Sequence, residues 1–223
     1  MEVGKVLNRS WHIIATYPGP VFGYGFLALL IVGLSFGLLL GPMYTGYCGL
    51  ILKLERGESA GFEELFGYFG LQHWFGGILY GLALAAPFLV GVVFGLAWLA
   101  SLLGDPQAEP SAEQLVSGVL GGLFLFLAAL IVTAWLMTRW LLLFPVLVFH
   151  QGGTREAFGI AVEILRQKGG FGPALGLVLI AYAIGMVFSA LMSALGLPFI
   201  SLLTTIPWLV FMVAAYLETR QVP

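Results

Sequence analysis

The residues whose spacing most resembles a catalytic pattern are Gly33, Ser35 and Gly37, which together match G-x-S-x-G. In hydrolases this pattern holds a nucleophilic serine on a sharp turn between a strand and a helix, beside a histidine and an acid. Here it lies inside an apolar segment that reads as a helix. The chain has three histidines, all near predicted membrane interfaces: His12, His73 and His150. We therefore interpret the pattern as a helix-packing feature and expect no catalytic residues, so the chain is not predicted to be an enzyme.

Metal and cofactor sites are not predicted either. Cys48 is the single cysteine, and neither it nor the scattered histidines offer a pair of metal ligands at helical or turn spacing. No glycine-rich phosphate loop follows a predicted strand. A single cysteine also excludes a disulfide within the chain. We expect no metal and no cofactor.

Arg139 is the residue with the most specific chemical potential. It lies about 36 Å along a helix that begins near Leu115, at a rise of about 1.5 Å per residue. One interpretation is a cation that reaches the membrane surface beside Trp140. The other is an intramembrane ion-pair site, in which Glu163 or Glu64 supplies the carboxylate. The sequence leaves both interpretations open.

The composition is that of an integral membrane protein. Of the 223 residues, 60% are hydrophobic and only 9% are charged, and the mean hydropathy is +1.02. Soluble domains carry about 25% charged residues. The net charge of −2 gives no indication of a nucleic-acid partner. The fold class predicted is all-α, a polytopic helical bundle whose first partner is the lipid bilayer.

The apolar pattern predicts six membrane segments and three interfacial helices. The interfacial helices are amphipathic, and they are predicted at 1–18, 62–69 and 154–168. The membrane segments are predicted at 20–40, 43–52, 74–103, 115–149, 171–195 and 198–217.

The number of crossings depends on Gly41-Pro42. A turn there gives six spans, whereas a kink joins the first two segments and gives five. Apart from Arg139, the lysines and arginines lie in the N-terminal helix, in the loop after Leu52, at 155–168 and in the tail, and the 104–113 loop has none. Since cytoplasmic loops are enriched in these residues, the pattern favours six spans with both termini in the cytoplasm of a multi-pass cell (inner) membrane protein. Five spans with an outside N-terminus is the alternative.

Glycines at four-residue spacing predict close helix packing. The candidates are Gly33, Gly37, Gly41, Gly91 and Gly95. They either pack helices within one chain or form a contact between copies of the chain.

The segments 20–103 and 114–196 share an order that could be a weak internal repeat. In each, a membrane segment is followed by a proline, a short apolar run, a charged loop, an amphipathic helix and a further span. Paired proline-interrupted segments are typical of transporters, but any polytopic chain alternates helices and loops. If the repeat matches 20–54 with 115–149, it favours a single crossing in 20–54, against the charge pattern.

Several residues carry a resemblance to a known family. In the second half Arg139, an apolar run with Pro145, Glu156-Ala157 and a short helix precede a new span. In the first half, the residues that carry the resemblance are Ser10-Trp11, Gly41-Pro42, Gly46, Arg56-Gly57-Glu58, Phe62 and Leu65-Phe66. This order resembles an uncharacterised prokaryotic polytopic membrane-protein superfamily related to the membrane domain of some glycerophosphodiester phosphodiesterases. The resemblance covers most of the chain and implies a six-helix membrane module. The soluble phosphodiesterase domain is absent, so it implies no phosphodiesterase activity.

Two functions are compatible with these features. The first is a non-catalytic integral membrane module that is scaffolding, regulatory or lipid-organising, with a second copy or another membrane protein as partner. The second is a small transporter or channel for a small molecule or lipid. It predicts a polar lining built from residues such as Ser35, Tyr44, Thr45, Thr133, Arg139, Ser189 and Ser193. The scarcity of intramembrane charge favours the first function.

Overall fold

The computed structural model describes residues 1–103, 111–150, 153–167, 170–194 and 203–220. In these ranges all regular structure is helical, which confirms the all-α prediction. The helices are α1 (Val3–Thr16), α2 (Pro18–Leu34), α3 (Leu40–Glu55), a 3-10 helix (Phe62–Phe66), α4 (Leu71–Leu103), α5 (Ala112–Trp140), α6 (Leu143–Phe149), α7 (Thr154–Gln167), α8 (Phe171–Ala194) and α9 (Thr205–Arg220). Parts of the 104–113 loop, Lys168 and the turn predicted at 196–198 lie outside the described residues.

The apolar helices indicate a membrane protein. Among the described residues, two helical stretches are long and apolar enough to cross a bilayer, Val116–Phe149 and Phe171–Leu191. Two bent pairs raise the number to four if each counts as one span. They are α1 with α2, which meet at 95°, and the two parts of α4, which meet near Pro87 at 41°. Six spans therefore stay a prediction.

The chain divides into two compact units. The first comprises Met1–Gly81 and Met137–Pro223, and the second comprises Leu82–Leu136. Helix α3 is the centre of the first unit, because every residue from Gly41 to Leu52 is buried. It packs against α2, the 3-10 helix, α6 and α9, and α1 packs along α9. In the second unit the α4 and α5 portions pack through Trp98, whose indole occupies the space beside Gly118, and Thr133 donates a hydrogen bond to the carbonyl of Ala83 (3.3 Å).

Helices α2 and α3 form a hairpin whose turn differs from the predicted position. The chain reverses at 35–39, where Phe36 and Gly37 have φ of 52° and 81°. The phenol of Tyr47 donates to the carbonyl of Val21 (2.9 Å), so the two helices run antiparallel. Gly41-Pro42 lies instead in the first turn of α3, where a proline costs no helical hydrogen bond. The turn predicted at Gly41-Pro42 is wrong in position, and the left-handed Gly37 explains the earlier reversal.

The turn of this hairpin satisfies its own backbone. The six N–H groups from Ser35 to Leu40 all donate to acceptors between residues 31 and 37, one of them the hydroxyl of Ser35. Its tip is apolar, and the side chain of Phe36 is 97% exposed. Since an unsatisfied N–H is costly in hydrocarbon, a turn that closes all of them locally is suited to a lipid environment.

The break between α5 and α6, which corresponds to the α2–α3 turn in the predicted repeat, does not reverse the chain. Helix α5 ends at Trp140 and α6 begins at Leu143, so the break predicted near Pro145 lies at Leu141-Leu142. Pro145 and Pro42 each occupy the third position of their helices. Here, however, the chain continues forward, because Val116–Phe149 forms a single candidate span. The two halves thus share the position of the proline but not the reversal, and the repeat stays a prediction.

The three predicted amphipathic helices differ in form. Helix α7 matches the 154–168 prediction, and it buries Ala157, Ala161 and Leu165 on one face. The 62–69 segment forms a short 3-10 helix, of which only Leu65 is buried. Helix α1 matches the N-terminal prediction as a helix, and it buries Val6, Ser10 and Ile13.

Candidate functional site

One end of the first unit carries a cluster of ion pairs. Arg9 in α1 contacts Glu55 at the end of α3 through Nη2 (3.3 Å) and Glu218 near the end of α9 through Nη1 (3.3 Å). All three side chains are at least four-fifths buried. We call this end, with the neighbouring Lys53 and Glu64, the charged end. The sequence predicts only an amphipathic interfacial helix at 1–18, and it gives no sign that Arg9 is part of a buried cluster.

A second pair at the charged end joins α3 to the 3-10 helix. Lys53 Nζ lies 2.5 Å from Glu64 Oε2, and the phenol of Tyr68 donates to Glu64 Oε1 (3.5 Å). The hydrogen bond to Glu64 raises the pKa of Lys53. Burial, with the nearby Glu64 carboxylate, raises the pKa of Tyr68 to about 12. The pair orders the loop between α3 and α4.

Aromatic rings complete this end and the adjoining core. The guanidinium of Arg56 lies 4.9 Å from the centroid of the Phe149 ring, and Phe149 stacks on Tyr216 (5.7 Å). Deeper in the unit, the rings of Tyr80 and Phe144 meet edge to face (5.1 Å), and Tyr44 contacts both of them. The indole of Trp208 donates to the Tyr80 hydroxyl (2.5 Å). These contacts form a closed, packed core between α3, α4, α6 and α9.

The three residues of the predicted intramembrane site have separate surroundings. Glu64 is paired with Lys53. Glu163 is exposed on α7 and accepts a hydrogen bond from Gln167 (2.9 Å). The guanidinium of Arg139 lies 6.0 Å from the centroid of the Phe171 ring, at the start of α8. The described contacts thus give each of the three groups a neighbour other than the predicted one, and an Arg139 pair with either carboxylate stays a prediction.

Of the five predicted packing glycines, one makes a close helix contact. A Cβ on Gly41 would lie 1.8 Å from the carbonyl oxygen of His73 and 2.8 Å from the nitrogen of Gly77, so α3 and α4 touch backbone to backbone there. Gly37 serves the turn through its positive φ. At the remaining three, no described atom of another segment lies within 4 Å of the Cβ position: Gly33, Gly91 and Gly95.

Three of the hydroxyls expected to line a transport path, those of Ser35, Thr45 and Thr133, bond to backbone. Ser35 donates to the carbonyl of Val32 (3.0 Å) and Thr45 to that of Gly41 (2.9 Å), each within its own segment. Thr133 donates to the carbonyl of Ala83. The side chain of Ser193 lies outside the described part of the structure. The hydroxyl protons of Ser35, Thr45 and Thr133 are therefore already donated to backbone carbonyls.

A groove of about 640 Å³ opens beside the start of α4. We call it the α4–α7 groove. Its polar groups come from Gln72, Thr154 and Arg155, and the hydroxyl of Thr154 donates to the backbone carbonyl of Gln72 (2.5 Å), which fixes the start of α7 against α4. Its apolar side chains are Leu71, Phe75, Leu79, Trp140, Leu143 and Phe158. Sequence analysis did not find this groove, since the residues of α4 that line it are more than 60 positions from those at 140–158.

No described group of three or more histidine, cysteine, aspartate or glutamate side chains is arranged to hold a metal ion. The geometry described above therefore offers two features with functional potential, the charged end and the α4–α7 groove. No protein-family model, curated protein or solved structure matches the chain.

Proposed function

We propose that the chain is a non-catalytic integral membrane module that organises lipid around its helices and acts as a scaffold in the cell membrane. The observation that carries this proposal is the bonding of its polar side chains. The hydroxyls of Ser35, Thr45 and Thr133 donate to backbone carbonyls, and Tyr44 lies in the packed aromatic core. A transporter needs such groups free to replace the hydration shell of a polar solute.

The exposed surface of the helices supports the same proposal. Long stretches of α5 and α8 present large apolar side chains, such as Phe124 and Val187, to their surroundings. Only 6% of the most apolar window of Val116–Phe149 is buried, and 17% of that of Phe171–Leu191. Such surface is stable only against lipid or another apolar partner.

We propose that both termini face the cytoplasm. The contacts of Arg9 with Glu55 and Glu218 support a common side for both termini, because they bring α1 and the ends of α3 and α9 together. The lysines and arginines of these segments favour the cytoplasm as that side. A five-span chain would separate Arg9 from Glu55 by the membrane. The six-span prediction and a hairpin that enters and leaves on one side both keep these residues together, since each makes an even number of crossings before Glu55.

Between these two arrangements we favour the hairpin. Helices α2 and α3 have 17 and 16 residues, which is about 26 Å and 24 Å at 1.5 Å per residue. The hydrocarbon core is about 30 Å thick. With an apolar tip that closes its own hydrogen bonds, the hairpin is suited to end within the hydrocarbon. The proposal is therefore six membrane-embedded helices (α2, α3, α4, α5, α8 and α9), of which α2 and α3 return to the cytoplasmic side.

Reconstitution into liposomes tests the function. Osmotic swelling in a graded series of neutral solutes, together with membrane current for ions, reports permeation without knowledge of a substrate. We expect rates equal to those of protein-free liposomes. In the same vesicles, spin-labelled lipids should show a motionally restricted fraction that scales with protein content. Protein-dependent swelling or current would overturn the proposal and favour the transporter or channel.

A further inference from the structure

We propose that the α4–α7 groove is a binding site for one anionic phospholipid, whose phosphate is held by Arg155. The groove has about 640 Å³ of space, which is within the range of small-molecule sites, about 300–1,000 Å³. This inference rests on the proposed function, because it requires α7 to lie at the membrane surface.

The lining of the groove matches the two parts of a phospholipid. Phe75 and Leu79 lie on successive turns of α4, so they form an apolar wall that continues along the helix, as an acyl chain requires. The first turn of α7 lines the groove beside Gln72 and supplies Thr154 and Arg155. Trp140 also lines it, and indoles concentrate where acyl chains meet headgroups.

Charge identifies the headgroup. Arg155 is the only charged residue among the described lining, and its side chain is exposed. Within the described structure it makes no ion pair or hydrogen bond through its guanidinium. Arg9 and Lys53, in contrast, are neutralised by carboxylates of the chain itself. Basic pockets between membrane helices on the cytoplasmic side recognise anionic headgroups, and a guanidinium can bind phosphate through two parallel hydrogen bonds.

The position of Arg155 is fixed by its neighbours. The hydroxyl of Thr154 donates to the backbone carbonyl of Gln72, which holds the residue before Arg155 against α4. Helix α7 is anchored along its length by the buried Ala157, Ala161 and Leu165. The backbone of Arg155 is therefore held on a packed helix, and only its side chain must be ordered when a phosphate binds.

The test is native mass spectrometry of the full chain after equilibration in mixed micelles with equal amounts of phosphatidylglycerol and phosphatidylethanolamine of identical acyl chains. The matched variants are Arg155→Gln and Arg166→Gln. Arg166 is a second exposed cation of α7, it lies outside the groove, and it has no ion pair with a described residue. A third variant, Leu79→Trp, fills the apolar part of the groove and keeps the cation. Thermal unfolding of each variant checks that it folds.

We expect wild type and Arg166→Gln to retain one phosphatidylglycerol in preference to phosphatidylethanolamine. Arg155→Gln should lower that preference about fivefold, from the typical contribution of one cation near a membrane surface, and Leu79→Trp should lower retention of both lipids. Equal losses in Arg155→Gln and Arg166→Gln would overturn the site, because they would show a general surface-charge effect. No preference in wild type would overturn it as well. Neither outcome changes the swelling result, which decides the proposed function separately.

Discussion

The contact between Gly41 and α4 gives a prediction with a calculable size. Replacing Gly41 by alanine places a methyl carbon 1.8 Å from the carbonyl oxygen of His73, where real contacts of this kind are essentially never below 3.0 Å. The obstacle is backbone, so a rotamer change cannot relieve it, and α3 and α4 must move apart by about 1 Å. Overpacking of this kind costs about 1–3 kcal/mol. We expect Gly41→Ala to fall at the upper end, with a drop in Tm of about 6–12 °C on the scaling of domains of this size.

Cys48 provides the assay. It is the only cysteine in the sequence and is fully buried in α3, so a thiol-reactive dye reports unfolding of the central helix in detergent. The matched control is Gly33→Ala in α2, since no described atom of another segment lies within 4 Å of the added methyl group. The control should melt at or above the wild-type temperature, because alanine favours helix. A Gly41→Ala protein that melts with the control would refute the close contact of α3 and α4.

Two further predictions concern the charged end. Arg9→Gln should lower stability by about 1.5–3 kcal/mol, because it leaves two mostly buried carboxylates without their cation. Lys5→Gln, which removes an exposed pair, should change thermal unfolding little. Equal effects of the two substitutions would contradict the burial of the Arg9 cluster. The raised pKa of Tyr68 means that the folded state holds its proton more tightly than the unfolded state. Its contribution is therefore complete below about pH 10 and is lost as pH rises to about 12, on the order of 1–2 kcal/mol. The raised pKa of Lys53 also lowers the free energy of unfolding as pH rises above 10.5. In denaturant titrations, Tyr68→Phe should lose less of its free energy of unfolding between pH 10 and 12 than wild type. An equal loss in the two proteins would contradict the raised pKa of Tyr68.

Apolar runs and amphipathic periodicity predicted the helices, because a helix is specified mainly by residues close together in the sequence. The segments that became α1, α4, α7 and α8 were found within a few residues of their observed bounds. The turn between α2 and α3 was missed because Gly41-Pro42 is a strong local signal for a break. A proline in the first turn of a helix is also favourable, and only the backbone of Phe36 and Gly37 decides between the two.

Long-range contacts explain the rest of what was missed. Arg9 meets carboxylates 46 and 209 residues away, and a helical wheel of α1 has no information about either. The glycine spacing is the same at Gly33 and Gly41, yet only Gly41 meets another helix. The α4–α7 groove draws on residues from 71 to 158. These three features depend on which helices pack together. Local sequence patterns do not show that.

The arrangement in the membrane is tested most directly by labelling single introduced cysteines with a membrane-impermeant maleimide, in intact cells and in inverted vesicles. The wild-type chain is its own control, because Cys48 is buried and should not react. We predict that Lys5→Cys reacts only in inverted vesicles, Glu113→Cys only in intact cells, and Phe36→Cys in neither. Reaction of Phe36→Cys from outside would restore a hairpin that crosses the membrane. Reaction of Lys5→Cys and Glu113→Cys from the same side would contradict the proposed polytopic arrangement.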